Sequence, residues 1–175
     1  NPMNLIMCFG TYAAISKDLG MPLKYPGDLR GFAAINQVTD SGLLARMTLW
    51  SATAPKAANE IFNITNGDGF RYANVWSDWA GAFGMEVGMA QRIISADVMP
   101  DKGPVWDHIV EKYDLVKLSY EQTAGWPYFD FNMDTSWDVL MSDAKRIDRG
   151  FTEMVDTEKM FLDLFAEFRR RKVLP

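Results

Sequence analysis

Eighteen Lys and Arg against 23 Asp and Glu leave this 175-residue chain with a formal charge of −5, which excludes a surface built chiefly to neutralise nucleic-acid phosphates. A composition 48% hydrophobic and 13% aromatic excludes a disordered tail and suffices for one core, so residues 1–175 are expected to form a single domain. No uninterrupted apolar run approaches the about 18 residues a bilayer span requires, so no membrane association is expected.

In chain order, Asn1 reads as an N-cap and Pro2 as a first-turn proline before an apolar helix from Leu5 to Leu19, closed by Gly20. The opening carries no basic n-region and no small-residue cleavage site, so it does not read as a secretory signal. Met21 to Tyr25 and Ala34 to Val38 read as short strands on either side of the turn Pro26-Gly27-Asp28. Asp40 or Ser41 caps a helix with Leu43, Leu44, Met47 and Trp50 on its inner face, interrupted at Pro55. Glu60 to Thr65 reads as a strand, Asn66-Gly67-Asp68-Gly69 as a turn, and Tyr72, Trp76, Trp79 and Phe83 as the stripe of a helix stopped by Gly84.

Residues 85–103 are aperiodic and read as loop; Pro104 then opens a helix with Val105, Ile109 and Tyr113 on one face. Ser119 and Gln122 fit a capping box. Trp126 to Thr135 is an aromatic stretch without period, too apolar for an ordinary exposed loop; it either plugs the core or forms the wall or lid of a pocket. Ser136 is expected to start a helix with Trp137, Leu140, Met141, Ala144 and Ile147 inward, ended by Gly150. Asp156 caps a last helix bearing Met160, Phe161, Leu164, Phe165 and Phe168, with Arg169, Arg170, Arg171 and Lys172 at its negative end.

No complete catalytic constellation is present. Gly67-x-Gly69 follows a strand and precedes a helix, as a dinucleotide loop requires, but Tyr72 stands where the third glycine belongs and Asp68 would repel phosphate, so a plain turn is the better reading. Tyr113 and Lys117 match the Tyr-x-x-x-Lys spacing in which a lysine lowers a phenol's pKa, yet the helix is expected to end near Tyr113, which makes the pair a decoy. His108 with Glu111 lacks a third metal ligand. Cys8, the single cysteine, has no base in reach and no disulfide partner; it reads as buried packing in a protein of a reducing, cytoplasmic compartment. The eleven methionines and the aromatics would suit the lining of a pocket for an apolar ligand.

Four segments, PMNLIMCFGTYAAISKDLGMPLKYPG, NEIFNITNGDGFRYANVW, KGPVWDHIVEKYDL and the stretch from Ser142 to Pro175, resemble in this order the C-terminal half of the progesterone 5β-reductase and iridoid synthase-like family. These are atypical extended short-chain dehydrogenases of the NAD-dependent epimerase/dehydratase superfamily, and the resemblance covers essentially the whole chain. It implies an α/β but helix-rich fold: the C-terminal substrate-binding portion of an extended short-chain dehydrogenase, with a few short strands and without the N-terminal Rossmann half. That half carries the family's glycine-rich loop, catalytic tyrosine and assisting lysine, and Asn1 falls just after the family's sixth sheet strand.

The resemblance further implies that Met3, Asn4 and Met7 border the active site and that Trp126 to Asn132 cap the substrate, with Tyr128, Phe129 and Phe131 as apolar contacts. No catalytic, cofactor-binding or metal residue is implied within the chain. The implied parent is an oxidoreductase using NADP or NAD to reduce an enone or related carbonyl compound; this chain alone is expected to hold no cofactor and to be inactive. Implied partners are a small apolar enone or carbonyl substrate and the missing Rossmann half; a homodimer docked along the edge of the strand Glu60–Thr65 is expected instead if the chain is a self-standing module. The alternative is a non-catalytic module for apolar-ligand binding or oligomerisation.

Overall fold

The computed structural model describes residues 2–175. The first helix, α1 (Leu5–Asp18), is buried along almost its entire length, from Ile6 to Ser16. Its sequence is apolar on every face, and such a helix can be satisfied only at the centre of a fold. Its cap is Asn4, whose side chain accepts from the Met7 N–H; the capping expected of Asn1 lies outside the described residues.

Around α1 are arranged α2 (Leu29–Ala33), α3 (Ser41–Thr53), α4 (Tyr72–Ala82), α5 (Ser95–Val98), α6 (Gly103–Tyr113), α7 (Tyr120–Thr123), α8 (Trp126–Met133), α9 (Ala144–Asp148) and α10 (Thr157–Arg170). The aromatic stripe of α4 meets Phe9 of α1 and Phe161 and Phe165 of α10. Phe9 lies 4.8 Å from Trp79 and 5.3 Å from Phe165 between ring centroids, and Trp79 lies 4.4 Å from Phe161. Each such pair adds about 0.5–1.5 kcal/mol to ordinary burial. A smaller cluster of Leu43, Met47 and Phe151 fixes α3 against the segment after α9.

The helix-rich class is as the sequence implied, with almost no strand content. The pieces expected at 21–25 and 34–38 make single bridges only, Leu23 to Val87 and Asn36 to Phe70. Residues 60–65 form no strand, and Ile61 is 87% exposed. A ladder needs repeated backbone pairing, whereas the neighbours of this segment reach it through side chains: Thr39 Oγ1 donates to Ile64 O at 2.9 Å, Asn63 Nδ2 to Ser142 O at 3.2 Å, and Thr65 N–H to Asp143 Oδ1 at 3.2 Å. The helix expected from Ser136 is reduced to α9. Val139 N–H donates to Ile35 O at 2.8 Å, Met141 N–H to Gln37 Oε1 at 2.6 Å, and Ile35 N–H to Asp138 Oδ1 at 2.8 Å, so this backbone is spent sideways on residues 35–37. Trp137 and Leu140 consequently point outward. The aromatic stretch becomes helix α8, and the loop at 85–103 holds only α5 and a 3-10 turn at Pro100–Lys102. No described helix is long and apolar enough to cross a membrane.

Candidate functional site

The N-terminal ends of α1, α3 and α10 converge beside α8 and enclose a cavity of about 320 Å³. Met3, Asn4, Leu5 and Ile6 come from α1 and its lead-in, Val38 to Ser41 from the cap of α3, Tyr128 and Asn132 from α8, and Met160, Phe161 and Leu164 from α10. The volume lies at the lower end of small-molecule sites. Two elements distant in sequence are tied together here: Gly125 N–H donates to Pro2 O at 2.8 Å, and the Cys8 thiol donates to the same oxygen at 3.2 Å. Burial pushes the Cys8 thiol above its ordinary pKa, so it stays protonated and structural.

The structure brings Met3, Asn4, Tyr128 and Asn132 together around this cavity. Met7, Trp126 and Phe129 do not line it; they are buried in the core, with Trp126 and Phe129 6.0 Å apart between centroids. Phe131, expected as an apolar contact, is 73% exposed and does not line this cavity. Sequence reasoning missed the opposite walls, Val38 to Ser41 and Met160 to Leu164. Their local signals, the capping aspartates Asp40 and Asp156 and the apolar stripe of Met160, Phe161 and Leu164, mark helices and not a shared cavity.

The polar groups of the rim are partly committed. Asn4 Oδ1 accepts from Met7 N at 3.1 Å, which leaves its Nδ2–H groups for a ligand. Asn132 Nδ2 donates to Tyr128 O at 2.7 Å, which leaves Oδ1. The buried Tyr72 phenol is raised above its ordinary pKa by burial first and then by the neighbouring Tyr128.

A larger cleft, about 520 Å³, opens on another part of the surface, among the C-terminal ends of α1, α4, α6 and α10. Its cations are occupied with those ends: Lys17 Nζ donates to Phe83 O at 2.7 Å, Lys112 Nζ to Asp18 at 2.8 Å, and Arg169 Nε to Pro175 O at 2.7 Å. Two of these cations answer main-chain oxygens and the third a carboxylate, so each already has a partner within the fold.

The turn Gly67–Gly69 does not fit a dinucleotide. Gly67 N–H is taken by Thr65 Oγ1 at 3.2 Å and Phe70 N–H by Asn36 O at 2.9 Å, while a Cβ on Gly69 would already touch Ile35. Tyr113 ends α6 and Asp114 is left-handed at φ 51°, so Tyr113 and Lys117 do not share a helix. Among the described residues no three His, Cys, Asp or Glu gather into a metal-binding group.

No family model matches the chain. It is 32% identical over 177 residues to an (S)-8-oxocitronellyl enol synthase of Nepeta cataria, 35% over 176 residues to one of Antirrhinum majus, and 30% over 177 residues to one of Catharanthus roseus. Each alignment takes in 99% of this chain but 45% of the relative, so the chain spans a little under half the length of the curated relatives it matches.

Proposed function

Because the chain matches a C-terminal portion of the iridoid synthase-like proteins of the progesterone 5β-reductase family, we propose that residues 1–175 act as one unit that holds the substrate of an NAD(P)H-dependent reductase of apolar enones or related carbonyl compounds. The cavity beside α8 carries this reading. Ile6, Val38, Met160, Phe161 and Leu164 give it an apolar floor, and Asn4, Ser41, Tyr128 and Asn132 a polar rim. A hydrocarbon skeleton gains about 25 cal/mol for each Å² it buries against such a floor. One oxygen at its end meets the Asn4 amide and Tyr128 phenol as donors, which orients it.

Reduction also needs a hydride from a nicotinamide and a proton donor at the developing enolate. The geometry of the Gly67–Gly69 turn does not supply the first, so both are assigned to a nucleotide-binding part, for which the greater length of the relatives leaves room. Residues 60–65, with Ile61 exposed, are the segment on which that part would dock. A second reading, a ligand-binding or self-associating module, draws on the same exposed segment.

Citral, an apolar enal, tests the proposal. The 175-residue chain should bind it without consuming NADPH. Tyr128→Phe should weaken binding about 2- to 10-fold, one hydrogen bond's worth, and Leu164→Asp should abolish it. Equal affinity in wild type and Leu164→Asp, or NADPH oxidation by the chain alone, would contradict it.

A further inference from the structure

The turn that fails as a nucleotide cradle has both of its polar side chains engaged elsewhere. Asn66 is fully buried; its Oδ1 accepts the Asp40 N–H at 2.7 Å and its Nδ2 donates to Thr157 Oγ1 at 2.9 Å. The Thr157 hydroxyl donates to Asp68 Oδ1 at 2.5 Å, and Thr157 N–H to Asp68 Oδ2 at 2.9 Å. A threonine hydroxyl has one proton, and here it goes to the carboxylate. Thr157 must therefore accept from Asn66, which fixes the amide's orientation and leaves Oδ1 for Asp40.

The backbone closes the same clamp: Asn66 N–H donates to Val38 O at 2.9 Å and Val155 N–H to Asn66 O at 2.9 Å. Gly67 makes the geometry available. At φ +99° it adopts a conformation that L side chains rarely take, and a Cβ there would lie 2.6 Å from Met154 Cε. The turn so formed brings residues 66 and 68 onto one threonine.

Val38 and Asp40 belong to one wall of the cavity, and Met160 and Leu164, just beyond Thr157 on α10, belong to the facing one. The chain Asp40→Asn66→Thr157→Asp68 spans from one to the other. We propose that Asn66, acting through Thr157, is a positioning residue that fixes the width of the pocket without touching its occupant. The inference rests on the reading of this cavity as a ligand site.

Amide hydrogen exchange and citral binding on the 175-residue chain decide it. As the cap residue of α3, Asp40 has no intrahelical acceptor for its N–H, so slow exchange of that amide reports the clamp directly. Thr157→Val keeps the shape and removes both side-chain bonds. It should speed exchange across Asp40–Leu43 and weaken citral about tenfold, while α1 and α4 keep their protection and Thr157→Ser stays near wild type. Unchanged exchange at residues 40–43, or equal acceleration throughout α1 and α4, overturns the inference. So does fast exchange of the Asp40 amide in wild type, a measurement that stands even if Thr157→Val does not fold. Wild type binding citral while Thr157→Val binds it equally overturns the inference alone; a wild type that takes up no citral overturns the pocket reading and this inference with it.

Discussion

Arg146 keeps its charge inside the protein, 1% exposed, and every part of the guanidinium is answered. Nε donates to Asp143 Oδ1 at 2.9 Å, Nη1 to Phe151 O at 3.2 Å and Glu153 O at 2.8 Å, and Nη2 to Thr65 O at 3.3 Å. Asp143 also accepts the Thr65 hydroxyl and, at 3.2 Å, the Thr65 N–H. Burial alone would raise the Asp143 carboxyl, but the bonds from Arg146 and Thr65 together outweigh it and hold it below the ordinary carboxylate range. A folded pKa lower than the unfolded one gives stability that is fully present above the unfolded value, about 4, and is lost as pH falls through the folded value. Asp143→Asn, which strands the buried arginine, should cost about 3–5 kcal/mol at neutral pH. In thermal melts taken from pH 7 to pH 2, the gap to wild type should stay level to about pH 4 and narrow below it. A gap unchanged across the acid range would show that the pair does not carry this dependence. The same scale sets the limit of sequence reading. Asn66 and Asp68 were visible as turn formers, but their partner Thr157 lies 91 and 89 residues away, and nothing local joins them.

At the scale of elements, the ends of helices were legible because capping is local chemistry. Asp40 and Asp156 each accept the N–H three residues on, Ser119 and Gln122 form their reciprocal box, and Gly20, Gly84 and Gly150 take positive φ. Strands were not legible, since a ladder depends on neighbours that local sequence cannot supply. The helix α8 was hidden for a different reason. Trp126, Phe129 and Met133 face the core, Tyr128 and Asn132 face the cavity, and Phe131 faces solvent, so no polar side contrasts with an apolar one. Asn4 joins an element's stability to the site, for it both caps α1 and offers its amide to the cavity. Asn4→Ala should destabilise the chain by about 1 kcal/mol and weaken citral binding. Asn4→Ser should restore the cap but not the binding, because a hydroxyl accepts from Met7 N without replacing Nδ2–H. Melting temperature and affinity restored together by serine would place the role of Asn4 in the cap alone.

Across the whole molecule, α1 is the axis. Its N-terminal end, with those of α3 and α10, opens on the candidate pocket, and its C-terminal end, with those of α4, α6 and α10, opens on the cation-lined cleft elsewhere. The resemblance implied Met3, Asn4 and Met7 and the stretch Trp126 to Asn132 as site residues, and of these Met3, Asn4, Tyr128 and Asn132 line the candidate pocket. The remaining two walls emerged only from the fold: the apolar stripes of α3 and α10 were legible, but not that the long-range bonds of Asn66 to Asp40 and Thr157 bring their N-terminal ends together. Ile61, Trp137 and Leu140 remain exposed apolar groups beside segments that lack a ladder, and they mark where further chain or a second copy would attach under the proposed function. The central claim is that an apolar carbonyl compound enters between α1, α3, α8 and α10. Two-dimensional amide NMR of the chain titrated with citral tests this most directly. The account predicts shift changes gathered at residues 4–6, 39–41, 128–132 and 160–164; changes gathered instead around Lys17, Phe83 and Arg169, or none at saturation, would contradict it.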